Sequence, residues 1–198
     1  MRARMAIVYA GIEVGLREVA LKDKPADMLE ASSKGTVPVL IETNGRVIDE
    51  SLDVMAWALD QRDTDHWLKG QGLQDPLINC CDNTFKHWLD RYKYAARFPE
   101  QSEQWDREQG ELFLDQLEQL LTDHCYLRGD SLSAVDVAVM PFVRQFAAVD
   151  LIWWGQAPYS MTRKWLDILL TSNLFTTVMA KYPVWKEGDP EQSFPADR

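Results

Sequence analysis

The sequence contains few cysteines. Three occur in 198 residues, and they stand at Cys80, Cys81 and Cys125. An odd number, with two neighbours and one distant member, matches neither a disulfide framework nor the spacing of metal ligands. We therefore expect no metal site, and a reducing compartment, the cytoplasm, fits this pattern best.

Positive charge and long apolar runs are also scarce. The 21 Lys and Arg residues oppose 31 Asp and Glu residues, which gives a formal net charge of −10. Because such a chain lacks a broad basic face, we expect neither nucleic acid nor an anionic membrane as a partner. No apolar stretch approaches the ~20 residues of a membrane span. The apolar run after the basic start ends at Glu13, which is too short for a secretory signal.

Apolar and aromatic residues are abundant by contrast. Hydrophobic residues make up 46% of the chain and eight of its residues are Trp, which is enough for a folded core. Before position 35 the periodicity predicts a helix over 2–10, a strand over 13–21 and a helix over 25–32.

Residues 34–53 carry the clearest local pattern. Pro38 interrupts the apolar run from Val37 to Ile41, and it cannot donate to a strand ladder, so an edge, a bulge or a cis turn is required. Asn44-Gly45 predicts a two-residue hairpin turn, since both residues tolerate positive φ. Ser51 then stands at the N-cap position before an apolar helical stripe. The exposed N–H groups of such a helix end attract a carboxylate.

The composition changes after this helix. Residues 61–75 are polar and include two glycines, and helical periodicity begins at Pro76 and dominates the rest of the chain. Ser133 and Asp136 have the spacing of a capping box, which predicts the N-cap of a further helix. We predict three segments: an α/β domain over 1–62, a linker over 63–75 and an all-helical domain over 76–198.

Several motifs together resemble one family. They are Lys24-Pro25, Thr36-Val37-Pro38-Val39-Leu40, Asp49-Glu50-Ser51, the run from Gly129 to Asp136 and the run from Met140 to Phe146. Over nearly the whole chain the sequence resembles the cytosolic glutathione S-transferases, and most closely their bacterial omega-like, cysteine-type members. The resemblance implies a thioredoxin-like N-terminal domain, an all-helical C-terminal domain and a homodimer.

The resemblance also predicts a departure. In these relatives a first strand and a Cys-Pro-Tyr type motif precede the segment that is similar to residues 1–9, and neither has a counterpart here. A start codon assigned too late, a cloned fragment or a truncated gene would each give this sequence. Without this first strand, the strands that lie on either side of it in the family's sheet would lack a hydrogen-bonding partner. We expect strand 13–21 to pair with 36–42, or a partner chain or the tail at 186–198 to replace the strand, rather than disorder of this half.

The family resemblance implies roles for four residues. Glu50 and Ser51 would hold the γ-glutamyl end of glutathione, the Val37 backbone would pair with its cysteinyl unit, and Lys24 would reach a carboxylate. A cis Pro38 would turn the Val37 amide toward the ligand. The structural alternatives are a plain N-cap at Ser51, a first-turn acid at Glu50 and a solvated cation at Lys24. Pro38 and Asp136 are structural under either interpretation.

No residue is predicted to be catalytic. All three cysteines lie on stretches with helical periodicity in the second half, where a buried, inert thiol is the usual state. The family implies glutathione-dependent thiol transfer or reduction, with a small electrophile or a disulfide as the second substrate. We expect this activity to be impaired, because the nucleophile segment is absent. The alternative is a noncatalytic glutathione-binding protein or dimeric scaffold.

Overall fold

The computed structural model describes residues 1–196, in two compact units. One unit combines residues 1–63 with the chain from Asn173 onward, and the other is residues 64–172. The elements in chain order are α1 (Arg2–Ala10), β1 (Val14–Leu16), α2 (Ala26–Ala31), β2 (Leu40–Ile41), β3 (Val47–Ile48), α3 (Ser51–Gln61), α4 (Pro76–Cys80), α5 (Lys86–Lys93), α6 (Glu103–Leu120), α7 (Ala134–Ala147), α8 (Leu151–Gln156), α9 (Ser160–Thr171), α10 (Asn173–Val178) and β4 (Gln192–Phe194).

The unit boundaries differ from the predicted domains. Residues from 173 onward belong to the first unit, although the sequence placed them in a helical domain over 76–198, whose last two positions lie outside the described residues. The predicted linker over 63–75 packs into the second unit from Thr64 onward. Trp67 explains this, because its side chain is only 2% exposed and its carbonyl accepts a hydrogen bond from the Ala134 N–H at 3.1 Å.

Helix α1 confirms the helix predicted over 2–10. Its buried face includes Met5 and Ile7. Gly11 ends the helix with φ +67°, a conformation that glycine adopts at little cost. The N–H of Ile12 donates to the carbonyl of Ile7 at 3.1 Å, which closes the last turn as in a Schellman motif.

The strands form two antiparallel pairs. Val14 pairs with Phe194 in one, and Leu40 pairs with Ile48 in the other. The strand predicted over 13–21 is therefore shorter, since its regular ladder covers Val14–Leu16. Within residues 1–196 no ladder joins β1 to β2. The tail does supply a partner for β1, whereas direct pairing of this strand with 36–42 is wrong. Within the described residues β4 does not also pair with β2, so the tail replaces the missing strand on the β1 side alone.

The tail is held to β1 by side chains as well as by the ladder. Phe194 is 1% exposed, so the last strand buries a full aromatic ring. The N–H of Trp185 donates to the Glu18 carbonyl at 2.9 Å. The Arg17 guanidinium lies 4.5 Å from the centre of the Trp185 ring and donates to Glu191 at 2.9 Å. Apolar burial and these polar contacts together explain why the tail belongs to the first unit.

The hairpin between β2 and β3 has a longer turn than predicted. The N–H of Gly45 donates to the Glu42 carbonyl at 2.8 Å, and the N–H of Glu42 donates to the Arg46 carbonyl at 2.9 Å, so three residues form the loop. Gly45 has φ +86°, whereas Asn44 does not have positive φ. Asn44 instead accepts the Arg46 N–H on its side-chain oxygen at 2.8 Å. The prediction of a two-residue turn is therefore wrong. Gly45 occupies the left-handed position of a three-residue hairpin loop with a bulge.

Aromatic rings form the core of the second unit. The Phe85 ring stacks on Phe113 at 4.6 Å and lies 5.2 Å from Phe146, measured between ring centres. Gly110 on α6 allows this close approach, because a Cβ there would lie 2.5 Å from the Phe146 ring. A π-helical turn over Cys81–Phe85 joins α4 to α5. Among the described residues, no helix combines the length and the apolar character that crossing a membrane requires.

Two buried carboxylates fix helix starts in this unit. The capping box at Ser133 and Asp136 is confirmed, and Asp136 is fully buried. One oxygen of Asp136 also accepts the Leu127 N–H and the Trp165 indole N–H, both at 2.8 Å, which ties the start of α7 to α9. Asp75 similarly caps α4 and accepts the Arg128 guanidinium N–H at 2.6 Å. The structural role predicted for Asp136 therefore includes a tertiary link.

Candidate functional site in the first unit

Helix α3 begins at Ser51, one residue earlier than an N-cap at Ser51 requires. Glu50 is the N-cap residue, with extended backbone at φ −113°, and no side chain caps the helix. The prediction of Ser51 as N-cap is therefore wrong, and Ser51 is the first helical residue. Because the first turn carries the positive end of the helix dipole and has no side-chain cap, this end is suited to an anion.

A lysine that the sequence analysis did not select lies beside this helix end. The Nζ of Lys34 is 2.7 Å from Glu50 Oε1 and 3.0 Å from Asp49 Oδ1. The other Asp49 oxygen accepts the hydroxyl of the buried Ser32 at 2.6 Å. Three charged groups and one hydroxyl thus form a network at the start of α3.

The electrostatics of this network follow from its contacts. Hydrogen bonds to Glu50 and then to Asp49 raise the pKa of Lys34. The hydroxyl of Ser32, followed by the ammonium of Lys34, lowers the pKa of Asp49. Lys34 and Asp49 are therefore both charged at neutral pH. One feature of the sequence could have identified Lys34. The predicted hairpin reverses the chain direction, so residues before it, such as Lys34, are brought beside residues after it, such as Asp49.

Val37 lies in the loop that enters β2. The Val37–Pro38 peptide is cis, as predicted. The Val37 side chain is 49% exposed, and within the described residues neither its backbone N–H nor its carbonyl has a hydrogen-bond partner. An extended ligand backbone could pair with these two groups, as an added strand does.

Lys24 lies in the loop before α2 and is half-buried. Among the described residues, its side chain has no hydrogen bond or ion pair. The structure therefore brings Glu50 and Ser51 together with Lys34, while no contact links Lys24 to this group. Its role as a carboxylate ligand stays a prediction.

The cysteines all lie in the second unit. Cys81 is buried, Cys80 is half-buried and Cys125 is exposed, and all three are free thiols. The expectation of three buried thiols is therefore wrong for Cys125. The hydroxyl of Tyr9, at the end of α1, donates to Asp63 at 3.2 Å. Residues 1–196 contain no group of three or more His, Cys, Asp and Glu side chains that could hold a metal ion.

Sequence comparison decides the family. A family model for the N-terminal domain of glutathione S-transferases matches residues 1–66. The relative described as "Probable glutathione S-transferase MSR-1", from Nicotiana plumbaginifolia, is 30% identical over 155 residues, which cover 74% of this chain and 68% of the relative. The chain belongs to the glutathione S-transferase family. This glutathione S-transferase carries the Val37, Glu50 and Ser51 motifs within the matched domain.

Solved structures support the same fold. BphK, a bacterial glutathione S-transferase solved as a ternary complex, superposes with a TM-score of 0.72 at 22% identity and covers 88% of this chain and 90% of its own. A Rhodospirillum rubrum glutathione S-transferase gives 0.73 at 17% identity, with coverages of 92% and 89%. URE2P6 from Phanerochaete chrysosporium, in complex with oxidized glutathione, superposes with a TM-score of 0.72 at 15% identity and covers 89% of this chain and 88% of its own. This family member therefore has a thioredoxin-like N-terminal domain and a helical C-terminal domain.

Proposed function

We propose that this glutathione S-transferase binds glutathione at the start of α3. The Glu50 carboxylate binds the ammonium of the γ-glutamyl end of glutathione. The α-carboxylate of that same end binds the Ser51 hydroxyl and the first N–H groups of the helix. The backbone of Val37 pairs with the cysteinyl unit, and Lys24 reaches a carboxylate. The observation that supports this proposal best is that Val37 is an exposed residue, that its backbone is unpaired within the described residues, and that a cis proline follows it.

We further propose that the family chemistry is glutathione-dependent thiol transfer or disulfide reduction, as in omega-like members. In such chemistry a cysteine thiolate attacks one sulfur of a disulfide, a mixed disulfide forms as the original S–S bond breaks, and the other sulfur leaves as a thiolate. Positions 1–63 contain no cysteine. We therefore expect the 198-residue chain to bind glutathione without turning it over, so that the thiol-transfer step is impaired.

Calorimetry and a disulfide-reduction assay test the two statements separately. We expect glutathione to bind, and Ser51→Ala to weaken binding about tenfold because one charge-assisted hydrogen bond is lost. Lys24→Ala should weaken binding several-fold, whereas the matched variant Lys22→Ala should not. The absence of binding at millimolar glutathione would refute the site. Turnover by a chain of confirmed intact mass would refute the impairment.

A noncatalytic scaffold is the second candidate function, and it is favoured by the same lack of a cysteine in positions 1–63. We propose a homodimer in either case, which sedimentation measures directly. We also propose a cytoplasmic location, supported by three free thiols, one of them exposed. A dimer that binds no glutathione would favour the scaffold over the transferase.

A further inference from the structure

Lys34 is anchored on one carboxylate and shared with another. Its Nζ contacts Asp49 Oδ1 at 3.0 Å, and the second Asp49 oxygen is held by Ser32 at 2.6 Å. Ser32 is 3% exposed, so the anchor is attached to the body of the first unit. Glu50 is different, because its side chain is 58% exposed and, within the described residues, it pairs with Lys34. The Lys34–Asp49 contact is therefore the fixed one, and the Lys34–Glu50 contact is the one that can be exchanged.

We propose that Lys34 is a positioning residue that makes this site select ligands with an adjacent ammonium and carboxylate. Without ligand, Lys34 holds the Glu50 carboxylate beside the start of α3. When an α-amino acid end binds, its ammonium replaces Lys34 on Glu50. Its carboxylate, which lies at the Ser51 hydroxyl and the first N–H groups of α3, also becomes the new partner of Lys34, which stays anchored on Asp49. This inference rests on the proposed glutathione site and deepens it.

The charges explain why both ligand groups are needed. A ligand that carries only the ammonium displaces Lys34 from Glu50 and returns nothing to the lysine, so one ion pair replaces another. A ligand that carries only the carboxylate leaves Glu50 paired and brings its negative charge close to two carboxylates. A ligand with both groups gains a partner for each charge, because its ammonium then pairs with Glu50 and its carboxylate with Lys34, which keeps its contact with Asp49.

The test compares Lys34→Met with the wild-type chain against two probes. The first is glutathione, and the second is its analogue in which the γ-glutamyl unit keeps the ammonium but lacks the α-carboxylate. We expect Lys34→Met to weaken glutathione binding about tenfold, because one charge-assisted contact to the carboxylate is lost. The affinity of Lys34→Met for the second probe should stay the same or rise, because the ammonium of the probe no longer competes with Lys34 for Glu50.

Two controls separate this role from a structural one. Lys34→Arg keeps the charge and should restore most of the glutathione affinity, and Lys22→Met should change neither affinity. If Lys34→Met weakens both probes equally, or changes neither, Lys34 does not select the ligand and the inference is wrong while the proposed site stands. If the wild-type chain binds no glutathione, the proposed function and this inference both fail.

Discussion

Replacing Asp136 by asparagine should destabilise the second unit more than the loss of a helix cap would. The two carboxylate oxygens accept the N–H and hydroxyl of Ser133, the Leu127 N–H and the Trp165 indole N–H. Asparagine keeps one oxygen and presents an NH₂ group in place of the other. If the amide faces Ser133, the buried Ser133 N–H loses its acceptor, and the remaining bonds lose their charge assistance.

The expected cost follows from these contacts. A buried donor without an acceptor costs about 1–3 kcal/mol, and a hydrogen bond to a charged group exceeds a neutral one by about 1 kcal/mol. We therefore expect Asp136→Asn to lower the free energy of unfolding by about 2–4 kcal/mol. With a urea m-value of roughly 2 kcal/mol/M, the midpoint should fall by about 1–2 M.

Urea unfolding followed by Trp fluorescence and circular dichroism measures this change. Ser133→Ala removes the cap and the hydroxyl's hydrogen bond to Asp136, leaves the Leu127 and Trp165 contacts in place, and should cost about 1 kcal/mol. The exposed Asp130 offers a matched control, and Asp130→Asn should stay within about 0.5 kcal/mol of the wild type. If Asp136→Asn costs no more than Ser133→Ala, the cost assigned to the unpaired Ser133 N–H and to the lost charge assistance is wrong.

Two further predictions concern the second unit. Gly110→Ala should destabilise the unit by about 1–3 kcal/mol and so lower its melting temperature, since the new Cβ meets the buried Phe146 ring. Gly155→Ala is the control and should not lower it, because nothing lies within 4 Å of a Cβ there. Equal melting temperatures for the two variants would contradict this prediction. Burial alone would raise the pKa of Asp75, but the Arg128 contact and the α4 amide hold it below its usual value. The ionised Asp75 carboxylate therefore stabilises the folded state above pH ~4, and this stabilisation is lost as the pH falls through the lower folded-state pKa. Asp75→Asn should then reduce the urea midpoint more at pH 7 than at pH 3. An equal reduction at both pH values would refute the stabilising role of the ionised carboxylate.

Local signals predicted the helices well. The period of apolar residues located α1, and the Ser133–Asp136 spacing located the start of α7. These features depend on residues within one or two turns of each other, so the sequence contains them directly. The cis Val37–Pro38 peptide was also predictable, because a proline within an apolar run has few alternatives.

Non-local pairings were harder to predict. The tail strand contributes one buried ring, at Phe194, and no pattern within it specifies β1 as its partner. Lys34 was missed for a related reason, since a lysine beside a turn is usually solvated, and only the hairpin brings it to Asp49. The exact start of α3, with Glu50 rather than Ser51 as the N-cap residue, depended on the backbone angles of one residue.

The pairing of β1 with β4 has a consequence for synthesis of the chain. Residues 64–172 are contiguous and carry their own aromatic core, so the contacts of that unit are complete once its residues have left the ribosome. The first unit must wait, because Val14 gains its partner only when Phe194 has been made. Such distant contacts slow folding, and an unpaired strand edge in the meantime is open to association with other chains. The half that is translated first is therefore the half that folds last.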